Sequence, residues 1–187
     1  MAIENFYEAS TPLAKTLAVY FEALFPEAYE RSKNAFDAGV WVKDDPGPWI
    51  GRALIYKLQG SLHVDDKDEG PTVSFPCGYF EGGEMVLPQL DAKLRCDGHL
   101  CFIFRALLTH FSYKKGHVLF FESSDIYHYV SKFSIPPYHS GNDNCTPGRI
   151  GSVFFSPKKS MEELAEQEAG WGYKTKFGKQ PTAILPA

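Results

Sequence analysis

The sequence predicts a mainly β protein with flanking helices, and three observations carry that reading. From Arg52 onward, short apolar runs alternate with clusters of Gly, Pro, Asp and Asn. Aromatic residues make up 15% of the chain, led by 15 Phe and 10 Tyr, a composition that suits strands. Helical periodicity is confined to the two ends. Many short strands with turn punctuation suggest a barrel or jelly roll. At 187 residues the chain predicts one domain that buries a core without staples. Residues 1–50 read as helices and a loop, 51–156 as the β core, and 157–187 as a closing helix and tail.

The elements follow in order. Ser10-Thr11-Pro12 reads as a helix start, a capping hydroxyl followed by proline at the first helical position. Leu13, Leu17, Tyr20, Phe21, Leu24 and Phe25 then recur at three- and four-residue steps, an amphipathic helix that Pro26 breaks. A second helical piece follows over 27–35, and the Pro- and Gly-containing run 44–48 is a loop. Strands are predicted at 53–58, 62–64, 72–75, 84–87, 100–104, 118–121, 127–133 and 149–155. Residues 107–111 are ambiguous between helix and strand, and 135–148, with three Pro and two Gly, form a long loop. Ser160 and Glu163 form a capping box that opens a helix closed by Gly170.

Composition excludes several classes. Hydrophobic residues at 44% and charged residues at 22% exclude disorder. A net charge of −4 argues against a basic nucleic-acid coat but allows a local basic groove. The N-terminal residues show no signal-peptide pattern and no apolar run is long enough to span a bilayer, which predicts a soluble intracellular monomer, nuclear or cytoplasmic, with no membrane partner. Cys77, Cys96, Cys101 and Cys145 show no C-x-x-C spacing and read as reduced thiols.

The chemistry begins at His63-Val64-Asp65. On a strand, side chains two apart share a face, so this imidazole and carboxylate reach one cation together. Two ligands hold a metal poorly, and a second histidine would complete the two-His, one-carboxylate set of non-haem Fe(II) oxygenases. His128 is the best placed, after a glycine turn, an apolar strand and a polar turn. His99, His110, His117 and His139 compete for the role. Arg149 opens the apolar run 150–155, and a cation there needs a partner. The far carboxylate of a dicarboxylic co-substrate would serve, with Ser152 adding a hydroxyl contact. An ordinary structural ion pair is the alternative.

Taken together, His63-x-Asp65, the run Gly-Tyr-Phe-Glu-Gly-Gly-Glu-Met-Val-Leu-Pro at 78–88, the glycine-started strand leading to His128, and Thr-Pro-Gly-Arg-Ile-Gly-Ser-Val-Phe-Phe at 146–155 resemble the 2-oxoglutarate/Fe(II)-dependent dioxygenases. The likeness is to the compact fungal group related to the TET/JBP nucleic-acid base oxygenases, with the prolyl-hydroxylase-like branch as rival. It implies a cupin-like double-stranded β-helix and an oxidoreductase that uses Fe(II), 2-oxoglutarate and O₂ to hydroxylate a substrate C–H. It maps His63, Asp65 and His128 onto the iron ligands and Arg149 onto the 2-oxoglutarate carboxylate, and it places Tyr56 near the co-substrate. A methylated base of the 5-methylcytosine type, in DNA or RNA, is the implied substrate, with a prolyl or small-molecule substrate as the alternative. A non-catalytic jelly-roll binding domain is the reading from another class. The tail from Tyr173 to Lys179, which interleaves aromatics with lysines, would track phosphates and stack bases or stand as a solvated surface.

Overall fold

A computed structural model describes residues 2–39, 42, 45–57, 59–90, 92–94, 101–102, 118–137 and 147–177. The fold mixes helices with several antiparallel sheets, and contacts group the chain into two compact units. Unit 1 is Met1–Ile50 with Ser156–Ala187, and unit 2 is Gly51–Phe155.

Unit 1 is helical. Helix α1 spans Ala2–Leu24 and α2 spans Pro26–Ala38. Pro26 sits at the start of α2, where its missing N–H costs nothing, so it separates the two helices as the sequence predicts. The predicted start at Ser10 is overturned. α1 begins at Ala2 and runs through Pro12, and the Ser10 and Thr11 hydroxyls donate back to the Tyr7 carbonyl instead of capping. The apolar stripe buries Leu17 and Phe21, and Phe21 stacks on Trp49 with ring centroids 5.0 Å apart. Ala35 and Ala38 of α2 pack with Met161 and Leu164 of α3, which spans Lys158–Leu164. The Ser160 capping box is also overturned: the N-cap is Pro157, three residues earlier, and no side chain caps α3. Gly170, at φ 77°, does not close α3 but precedes α4, Trp171–Thr175. Among the described residues no helix is long and apolar enough to cross a membrane.

Among its described residues unit 2 carries ten strands: β1 Gly51–Tyr56, β2 Thr72–Tyr79, β3 Glu81–Gly82, β4 Met85–Leu87, β5 Ala92–Leu94, β6 Cys101–Phe102, β7 Leu119–Phe121, β8 Tyr129–Val130, β9 Phe133–Ser134 and β10 Gly148–Phe155. They form a five-stranded sheet in the order β1-β10-β2-β7-β6, a three-stranded sheet β5-β4-β8 and a β3-β9 ribbon. Among the described residues the strand ladders are antiparallel except β6 with β7, and Tyr79 makes a single parallel bridge to Pro147. Among the described residues the strands do not close into a barrel. The core gathers Phe80, Met85, Leu87, Leu119 and Phe121. The predicted strand 62–64 is a single bridge, His63 opposite His128, and predicted strand 127–133 splits into β8 and β9 around Ser131 and Lys132. The ambiguous segment 107–111 and residues 138–146 of the long loop lie outside the described residues.

Strand parity positions the site. Arg149, Gly151, Val153 and Phe155 of β10, Ala53 and Ile55 of β1, and Thr72 and Ser74 of β2 line a cavity of about 360 Å³. The residues between them belong to the other face of the sheet.

Candidate metal centre

His63 and His128 lie opposite each other because their backbones pair. The His63 N–H donates to the His128 carbonyl at 3.1 Å and the His128 N–H returns to the His63 carbonyl at 2.8 Å. The Asp65 N–H donates to the Ser123 carbonyl at 2.9 Å, so the segment carrying His63 and Asp65 is tied twice to the segment leading into His128. His63 and Asp65, two residues apart, then present their side chains together.

One ligand atom from each of His63, Asp65 and His128 lies within 4.8 Å of the others. His63 Nε2 is 3.6 Å from Asp65 Oδ1, and His128 Nε2 is 3.5 Å from Asp65 Oδ2. Both separations are too long for good hydrogen bonds, and both suit an ion placed between the atoms at bonds of about 2.0–2.2 Å. The two rings are oriented alike. His63 Nδ1 is 2.6 Å from the Ser61 carbonyl and His128 Nδ1 is 2.9 Å from the Ile126 carbonyl. A carbonyl oxygen only accepts, so each Nδ1 carries the proton and each Nε2 offers its lone pair to the space beside Asp65. This donor set fits a divalent cation, and the three residues could hold one.

The environment is graded. The His128 side chain is 7% exposed, that of Asp65 31% and that of His63 45%. Phe121 meets the His128 ring edge-on at 5.0 Å. Burial pushes the His128 pKa down, which keeps its imidazole neutral and ready to ligate. Asp68, three residues past Asp65, also lines the cavity. Its carboxyl is pushed up to about 6, first by burial and then by the charges of Asp65 and Asp66.

Arg149 opens onto the same cavity and is only 4% exposed. Its Nε donates to the Gly83 carbonyl at 3.1 Å. Among the described residues no carboxylate lies within ion-pair distance of its guanidinium, and an unpaired buried cation is costly. Two glycines make room for it. A Cβ on Gly83, where φ is +67°, would sit 2.8 Å from Arg149 Cδ, and one on Gly151 would sit 3.3 Å from Nη1. The remaining walls are largely apolar, with Ile55, Met85, Val130, Val153 and Phe155 among them.

Tyr56 and Ser152 do not join this group. Both fall on the opposite face of their strands: Ser152 pairs across from Leu54 and Phe75, and Tyr56 from Ile150. Tyr56 is 56% exposed under the Lys57 ammonium, and Ser152 lies against Cys77. Neither lines the cavity, so the sequence-based co-substrate contacts at Tyr56 and Ser152 are corrected. The register of β10, one residue off from what Ser152 would need, is the reason. His99, His110, His117 and His139, the competing ligands, lie outside the described residues, as do Cys96 and Cys145. In the tail, Tyr173 and Phe177 are exposed and Lys174 pairs with Glu168 at 3.2 Å; Gly178 and Lys179 lie outside the described residues.

The sequence reading passed over Asp68, Gly83 and Gly151 as individual site residues. The adjacent glycines 82 and 83 were the available signal, since a Gly pair often marks positive φ or close approach. No family model matches the chain, and no curated protein matches it either.

Proposed function

We propose that this chain is an Fe(II)- and 2-oxoglutarate-dependent dioxygenase built on a double-stranded β-helix. One observation carries the reading: a two-His, one-carboxylate group and a buried arginine lacking a carboxylate partner among the described residues open on one cavity. The strand order supports the jelly-roll part. β1, β2, β7 and β10 belong to the five-stranded sheet and β4, β5 and β8 to the three-stranded one, so the chain passes from the first sheet to the second and back twice, as a two-sheet fold requires.

His63, Asp65 and His128 would hold Fe(II), leaving positions open for co-substrate and O₂. Bound there with 2-oxoglutarate and O₂, the iron supplies the oxidation that places a hydroxyl on a substrate C–H, with succinate and CO₂ as co-products. The protein's own work is placement. Arg149 grips the far carboxylate of 2-oxoglutarate through its guanidinium fork, in the gap that Gly83 and Gly151 leave open. The Nδ1 hydrogen bonds of the two histidines fix ring orientation before any ligand arrives. The apolar walls exclude water from the reacting centre. The substrate in this reading is a methylated base, 5-methylcytosine first, presented flipped or single-stranded.

Anaerobic titration of Fe(II) with and without 2-oxoglutarate tests the first part. A visible charge-transfer band that needs both components is expected. Metal binding without any 2-oxoglutarate effect would favour a cupin of other chemistry, and no metal binding would favour a non-catalytic binding domain. Mass spectrometry of a methylated oligonucleotide after turnover tests the substrate. A proline peptide that gains one oxygen while the base stays unchanged would transfer the reading to the prolyl-hydroxylase-like branch.

A further inference from the structure

The segment 125–127, just before His128, has little regular structure of its own. Its turn is made by the Asp125 and Ile126 N–H groups, which donate to the Glu122 carbonyl at 3.1 and 3.0 Å. Yet its Ile126 carbonyl has a demanding task, because it accepts the Nδ1 proton of His128 and so sets which nitrogen faces Asp65. A carbonyl on a short loop orients a ring only if the loop is held on both sides.

Gln89 holds it. After β4 ends at Leu87, Pro88 starts a single 3₁₀ turn, Pro88–Leu90, that projects the Gln89 side chain away from the core. Its Nε2 donates to the Asp125 carbonyl at 3.2 Å, and its Oε1 accepts from the Tyr127 N–H. One amide therefore brackets Ile126, with its donor on the residue before and its acceptor on the residue after. The two ends of an amide have opposite polarity, so no other side chain of that length except a correctly oriented Gln satisfies both.

We infer that Gln89 is a positioning residue for the metal centre: it clamps segment 125–127 so that the Ile126 carbonyl locks His128 with Nε2 toward the metal. The inference rests on the metal-binding reading of His63, Asp65 and His128. Gln89 touches neither ligand nor metal, and it is exposed, so its loss leaves the core intact.

The test uses the full chain, Mn(II) as probe, and two variants, Gln89→Ala and Gln89→Glu. Gln89→Ala should weaken Mn(II) binding about 10-fold, the lower end of what losing an outer partner costs a metal site. Gln89→Glu keeps the acceptor for Tyr127 but turns the donor facing the Asp125 carbonyl into an acceptor, so it should also weaken binding. Long-range ¹H–¹⁵N spectra of the metal-free protein give a second readout. Wild-type His128 should be a single tautomer protonated at Nδ1, and Gln89→Ala should show a tautomer mixture. Unchanged Mn(II) affinity, or an unchanged tautomer in Gln89→Ala, would overturn the clamp. So would a loss of affinity that merely tracks a loss of metal-free thermal stability. A wild-type chain that fails to bind Mn(II) would overturn the metal reading itself, a result distinct from any difference among variants.

Discussion

His128 is the most buried of the three candidate ligands and Asp65 the one that both imidazoles face, so removal of either side chain should act chiefly on metal binding, with His128→Ala also lowering stability through the gap left beside Phe121. Asp65→Ala and His128→Ala should each weaken Mn(II) or Fe(II) binding by more than about 100-fold, beyond what an outer partner contributes. Far-UV circular dichroism should stay unchanged. Loss of binding in His110→Ala with retention in His128→Ala would move the site. Arg149→Ala should raise the 2-oxoglutarate Kd while leaving metal affinity alone. Truncating a buried, hydrogen-bonded charge partner costs about 2–5 kcal/mol, or roughly 30- to several thousand-fold. Equal 2-oxoglutarate binding in wild type and variant would return Arg149 to a structural role. Asp68 gives a pH signature of opposite sense to most carboxylates. Its value in the fold is about 6, above the ordinary 3.8, so the fold resists its ionisation. Its contribution is fully present below about pH 3.8 and is lost as pH rises through about 6. In chelator, Asp68→Asn should therefore raise the unfolding temperature at pH 7 to 8 and change it little at pH 4. A variant no more stable than wild type at pH 8 would contradict this.

Elements show where local sequence signals suffice and where they do not. Pro26 separates α1 from α2 as read, and most strand candidates overlap real strands, because turn residues and apolar runs act over a few neighbours. Thr72–Tyr79 and Gly148–Phe155 extend past their predicted ends because they pair with each other there, residues 76–79 lying opposite 151–148. The two helix-start signals failed for a common reason. Ser10-Thr11-Pro12 and the Ser160 box are local preferences worth about 1 kcal/mol, and burial of a helix face outweighs them: the stripe with Leu17 and Phe21 in α1, and Met161 and Leu164 in the short α3. The same comparison yields a prediction. Pro12 cannot donate to the Glu8 carbonyl inside α1, so Pro12→Ala should stabilise the protein, by up to about 3 kcal/mol. A lower unfolding temperature in that variant would show that the proline is needed. At the site, the pairing of His63 and Asp65 was legible because a two-residue step has a fixed consequence on an extended chain. Tyr56 and Ser152 were misplaced because which face a strand buries depends on register, and register is set by distant partners. The role of Gly83 was hidden too, since the need for an empty Cβ position arises from Arg149, 66 residues later. Gly83→Ala should displace the arginine and weaken 2-oxoglutarate binding without touching metal affinity.

In the whole molecule the candidate metal site joins segments 65 residues apart, His63 and His128, through one backbone bridge. A cation there binds the folded state alone, so it should stabilise the chain by about 2.7 kcal/mol at a concentration 100 times its Kd. A chelator should remove that gain, and calorimetry with and without Mn(II) reads it. Unit 1 has another consequence, one of timing. It is made from both ends of the chain, and Ala35 and Ala38 are covered by Met161 and Leu164. During synthesis at about 5–20 residues per second, the 122 residues between Ala38 and Met161 take roughly 6–25 s to emerge. For that interval the nascent helical pair stands with a bare apolar face while the inserted β unit is completed. Gly51 and Phe155, paired at the two ends of that unit, bring the chain back to where it left. The helical unit can therefore be completed only after the whole β unit has emerged, although its first two helices leave the ribosome first.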